Sequence, residues 1–98
     1  MISIKVYKQG HDTLVGACDE KLIGKTFEEG KYFLEVRKDF YDGKRVSIDL
    51  LKKLLMDATI ANLVGSETVK AAVEMGLVDP DCVIRVKGVP HAQMVRMI

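Results

Sequence analysis

The sequence predicts one α+β domain over residues 1–98: a mostly antiparallel or mixed β-sheet, opened by an N-terminal hairpin, with two helices packed on one face. Three observations predict it. Apolar and polar residues alternate through the N-terminal part, as half-buried strands require. Helical spacing of apolar residues follows Ser47 and again Ser66. Glycine and proline punctuate the segments between.

Ile2, Ile4 and Val6 alternate with Ser3, Lys5 and Tyr7, which predicts a first strand. Gln9-Gly10-His11-Asp12 has the chemistry of a turn, so Thr13 to Asp19 pairs back as a second strand with a loop of about four residues. Glu20 to Gly24 connects to a short strand at Lys25-Thr26-Phe27, and Glu28 to Lys31 turns again. Tyr32 to Arg37 reads as another strand, with Tyr32, Leu34 and Val36 on one face. Asp39 to Lys44 is a loop with a tight turn at Asp42-Gly43.

Ser47 is suited to cap a helix over 48–58, because its hydroxyl can accept from an orphan amide of the first turn, and Asp49 suits the positive end of the helix dipole. Thr59 to Val64 is β-branched and apolar, as a buried strand is; the competing reading extends the preceding helix through Ala61. Ser66 then caps a second helix, 67–75, with Val69, Ala72 and Val73 as its apolar face and Gly76 as a left-handed C-cap. Asp79-Pro80-Asp81 turns the chain into a strand over 82–87 with Cys82, Ile84 and Val86 inward. Gly88-Val89-Pro90 breaks that strand, and 91–98 is a tail offering an edge strand or a helical turn.

Composition narrows the function. With 15 Lys plus Arg against 14 Asp plus Glu, the net charge is +1, so no global field draws the protein to nucleic acid or membrane, and any such contact needs a local patch. There is no Trp and there are only 3 Tyr and 3 Phe, which argues against broad stacking on bases. Two cysteines far apart in sequence do not make a disulfide framework, so a reduced, cytoplasmic location is expected. No leader pattern and no long apolar run are present, so neither secretion nor a membrane span is expected.

Four segments remain conspicuous: Cys18-Asp19-Glu20-Lys21-Leu22-Ile23-Gly24-Lys25, Phe40-Tyr41-Asp42-Gly43, Ala61-Asn62-Leu63-Val64-Gly65 and Val89-Pro90-His91-Ala92-Gln93. Together, and in this order, they resemble the archaeal domain-of-unknown-function family numbered 424, over nearly the whole chain. Lys21 stands where that family more often has an acidic residue. The resemblance implies a small archaeal intracellular protein with a tie to information processing such as translation, and it implies no defined activity.

The candidate chemistry is sparse. Cys18, Asp19 and His91 are the residues a nucleophilic site would use, the imidazole lowering the thiol pKa. Strand alternation instead puts Cys18 in the core, and Asp19 suits a turn-shaping role. His11, Cys18, Cys82 and His91 lack the paired spacing of metal ligands, so no metal and no cofactor are expected. Asn62 interrupts an apolar strand and must be hydrogen-bonded; with Gly65 and Ser66 at a helix start, His91 and Gln93, it forms a candidate anion or small-ligand group.

Charge gives the leading expectation. Arg37, Lys38, Lys44 and Arg45 flank Phe40 and Tyr41, and Arg85 and Lys87 lie on a C-terminal stretch with no acidic residue after Asp81. Cations beside aromatics suit RNA, which meets charges at phosphates and rings at bases. The expected function is therefore a non-catalytic binding module for RNA or a ribonucleoprotein. The alternatives are an enzyme or small-ligand binder built on Cys18, Asp19, Asn62 and His91, and a homodimeric adaptor joined at a sheet edge.

Overall fold

The computed structural model describes residues 1–96; residues 97 and 98, the end of the expected tail, lie outside the described residues. The elements run β1 (Ile2–Gln9), β2 (Asp12–Asp19), β3 (Thr26–Glu29), β4 (Tyr32–Glu35), α1 (Lys38–Tyr41), β5 (Lys44–Val46), α2 (Ile48–Met56), β6 (Ile60–Val64), α3 (Ser66–Glu74), β7 (Ile84–Val86) and β8 (Val89–Val95). Short 3₁₀ turns occupy Glu20–Leu22 and Pro80–Cys82. Six strands form a mixed sheet in the order β5-β1-β2-β6-β8-β7, with β2 and β6 its parallel pair. The α+β architecture read from the sequence is the one observed. The hairpin of β3 and β4 is a separate two-stranded sheet.

The first hairpin is tighter than expected. Gln9 pairs with Asp12, leaving Gly10 and His11 as the loop. Gly10 takes φ 61°, the left-handed conformation a two-residue turn needs at its first position. In β2, residues Val15, Ala17 and Asp19 face one side and Leu14, Gly16 and Cys18 the other. Both sides are buried toward the end of the strand, so neither is a solvent face.

α2 and α3 cover one side. Ser47 Oγ accepts from the Leu50 amide at 3.2 Å, as a cap does. Leu51 and Leu55 pack against Ile2, Ile4, Val15, Ala61 and Leu63. The helix stops at Met56 rather than Ala58, and β6 follows, so the reading that ran the helix into Ala61 is set aside. α3 ends on Gly76, φ 75°, with the Leu77 amide donating to Ala72 O and the Gly76 amide to Val73 O, both at 3.0 Å. These two bonds make a Schellman motif, which satisfies carbonyls the helix end leaves open.

The other side is covered over part of its area. Leu34, Val36 and Phe27 from the β3–β4 region, with Tyr41 of α1, pack on Cys18, Val64 and Val86. This cover explains two departures from expectation. Val86 is inward as read, but Ile84, on the same face, is 45% exposed because the cover stops short of it. Cys82 sits in a 3₁₀ turn and is exposed. The expected break at Gly88-Val89-Pro90 falls at Lys87 and Gly88 instead: both take positive φ (53° and 78°), the pattern of a type I′ turn, and join β7 to β8 as a hairpin, with Val89 and Pro90 opening β8. β8 consequently lies between β6 and β7 and is not an edge strand.

Candidate functional site

The sheet register decides which candidate residues meet. Asp19 shares a face with Val15 and Ala17, on the helix side. His91 and Gln93 lie on the opposite face, since Ala92 and Met94 between and beyond them fill the helix-side core. Asp19 and His91 are therefore separated by the sheet, and the four residues Cys18, Asp19, Asn62 and His91 do not form one pocket.

Asp19 has a different task. Its carboxylate is buried at the start of α3, where it accepts from the Glu67 amide (3.2 Å), the Thr68 amide (2.9 Å) and the Thr68 hydroxyl (2.8 Å). A helix leaves its first amides unpaired and carries a positive dipole end, so a carboxylate there is stabilising. Gly65, φ 109°, lets the chain reach this position; a Cβ there would collide with Asp19 Cγ. Ser66 makes no cap bond, and Gly65 is the capping position instead. The anion site expected at Gly65 and Ser66 is thus filled by the chain's own carboxylate.

Cys18 is fully buried, and burial, with the negative Asp19 beside it, pushes its thiol up to about 12. A thiol is nucleophilic only as thiolate, so at neutral pH this one is a core side chain. Tyr41 is likewise buried, its hydroxyl pushed up to about 12 by burial. It belongs to the second core and does not stack on an external base.

The expected basic patch is divided. Arg37 is bound through two nitrogens to Asp39 at 3.1 and 2.8 Å. Arg45 reaches Glu20 and Asp42, both at 2.7 Å, and Ser3 Oγ at 3.1 Å. Arg85 points to the helix side at the β7 edge, opposite Pro90 in the register. Lys87 lies in the turn, its amide donating to Glu29 Oε1 at 2.7 Å. β5 and β7 are the two edges of a six-stranded sheet, about 24 Å apart at the usual spacing. Lys38 and Lys44 remain exposed and form no ion pair among the described residues.

What the sheet does gather is a half-face that the β3–β4 hairpin leaves open, covered only by Phe40 at Gly16 among the described residues. One cross-strand row is Tyr7, Leu14, Ile60 and Val95, and the next holds Lys5, Gly16, Asn62 and Gln93. Gln93 Nε2 donates to Asn62 Oδ1 at 2.9 Å, so the polar interruption in β6 is satisfied across the sheet. His91 and Ile84 form the far corner. Burial holds the His91 imidazole below its ordinary value, so it is neutral at pH 7. Phe40 lies over Gly16, where a Cβ would stand 2.7 Å from the ring, and stacks on Tyr7 with centroids 5.4 Å apart. Lys5 Nζ sits 5.5 Å from the Tyr7 ring and donates to Asp39 O at 2.9 Å.

Asn62, His91 and Gln93 are the sequence candidates this face brings together. Tyr7, Leu14 and Ile60 were not among them. The signal for Tyr7 was its place in the Ser3-Lys5-Tyr7 alternation; nothing local marks the other two as uncovered. Among the described residues no group of three His, Cys, Asp or Glu is gathered to hold a metal ion, and no helix is long and apolar enough to cross a membrane.

A family model described as a protein of unknown function, DUF424, matches residues 7–97. No curated protein matches the chain. Among solved structures, the chain is similar to an uncharacterized conserved protein from the archaeon Methanopyrus kandleri, with a TM-score of 0.76 at 22% identity, over 99% of this chain and 95% of that one. At that identity the likeness concerns the fold.

Proposed function

The chain belongs to the DUF424 family, whose function is unknown, and from that premise we propose a non-catalytic module that binds single-stranded RNA, free or within a ribonucleoprotein, on the open half of the sheet. The observation that carries this reading is the uncovered face itself: an aromatic pair, Tyr7 and Phe40, beside the Asn62–Gln93 amide pair. Unstacked bases offer planar faces to aromatic rings and hydrogen-bonding edges to amides, and exposed sheet faces are a recurrent way to present both. Lys5 and Lys38 supply charge at the aromatic side. Both lie near Asp42, whose carboxyl is held below its ordinary value mainly by Arg45, with those lysines contributing. The buried Cys18 thiol and the internally bonded Asp19 favour binding over nucleophilic catalysis.

The test is a titration of a labelled single-stranded RNA at low salt, read by anisotropy and by amide NMR shifts. Shifts are expected on β6 and β8 around Asn62 and Gln93. Tyr7→Ala is expected to weaken binding by roughly 5- to 150-fold, the range of one lost stacking contact at about 1–3 kcal/mol. Few free cations imply a shallow salt dependence, a log–log slope of about −1.4 for two phosphate contacts. RNA that moves no resonance on this face, or that binds Tyr7→Ala as tightly as the parent, would sink the reading.

A further inference from the structure

We propose that the cavity between α3 and β7 is a binding site for a small amphipathic carboxylate, a molecule with an apolar body and one anionic end. The cavity measures about 510 Å³, within the roughly 300–1,000 Å³ that small-molecule sites occupy. Its walls are mainly apolar: Val69 and Val73 project from one face of α3, and Val83, Pro80 and Pro90 close the other side. This lining selects the body of the ligand.

The charges select its end. Lys70 from the helix and Arg85 from β7 line the cavity from opposite walls. Neither enters an ion pair among the described residues, in contrast to Arg37 and Arg45. The acidic residue at the cavity, Glu74, is already bridged by Lys52 at 3.2 Å. Two unpaired cations beside an apolar surface are complementary to a carboxylate, which a guanidinium can bind through two parallel hydrogen bonds. They oppose an amine of the same shape. A phosphate head fits less well, because the Glu67 and Thr68 amides that would have coordinated it donate to Asp19.

This site faces the helix side, across the sheet from the surface proposed for RNA, so either can fail without the other. The test compares octanoate, octan-1-ol and octylamine against the full chain at pH 7 and constant ionic strength, following the methyl NMR signals of Val69, Val73 and Val83. Octanoate is expected to shift them saturably at one equivalent, at least about tenfold more tightly than octylamine. The double variant Lys70→Gln, Arg85→Gln is expected to lose about tenfold or more in octanoate affinity while octan-1-ol shifts are unchanged. Amide spectra of the variant away from the cavity report that its fold is intact. Octylamine binding as tightly as octanoate, shifts that never saturate, or an unchanged affinity in the double variant would each overturn the proposal.

Discussion

His91 carries the clearest pH consequence at the level of one residue. Burial between Val64 of β6 and Ile84 of β7 depresses its folded pKa. In the unfolded chain it titrates near its ordinary value of about 6.5. The unfolded state therefore binds the proton more readily, and protonation favours unfolding. The contribution of neutral His91 is fully present above that unfolded value and is lost as pH falls toward the depressed folded one. Urea midpoints measured from pH 8 to pH 5 should decline, and His91→Gln should flatten part of that decline. An identical pH dependence in the variant would show that other groups set it. Asn62 is a different kind of polar residue: its bond to Gln93 lies on the exposed face, where solvent competes for both amides.

At the scale of elements, the link from β2 to α3 decides how the molecule is tied together. The Asp19 carboxylate caps a helix that begins far along the chain. Asp19→Ala removes a cap, worth about 1 kcal/mol, and strands a buried Thr68 hydroxyl, worth about 1–3 kcal/mol more. A loss of about 2–4 kcal/mol in urea unfolding is expected, with RNA affinity at the opposite face unchanged once the variant is folded. An Asp19 variant of full stability but lost binding would reverse the assignment. The same contact shows where sequence reasoning reaches its limit. β1, β2, β6 and α2 were readable because alternation, helical spacing and the Ser47 cap are local signals. Ser66 carried the same local signal and misled, since the true cap arrives from another strand. Ile84 kept its predicted face, but how far the β3–β4 hairpin extends over that face depends on tertiary packing. Tyr41 departs from its expected role for a related reason: the one-turn helix α1 turns it inward and leaves Phe40 on Gly16.

At the scale of the whole molecule, the sheet has two edges and one half-open face, so its state of association must be argued from those. β5 and β7 are each three residues long. Lys44 and Arg45 put charge on the first edge, and the β3–β4 hairpin packs against β7 at the second. Short, charged or covered edges resist strand addition, which opposes the edge-paired homodimer. The open face exposes Ile84 and Val95, yet Asn62, Gln93 and His91 divide its apolar area, and its side chains number far fewer than the 20–30 residues that a stable interface of about 800 Å² per partner draws on. Sedimentation across micromolar to millimolar loading is expected to give one 10.9 kDa species, with the RNA-bound form carrying one protein per binding site. A dimer that forms reversibly in that range, and that RNA dissociates, would mean that the open face is self-complementary and that RNA competes with a second copy for it.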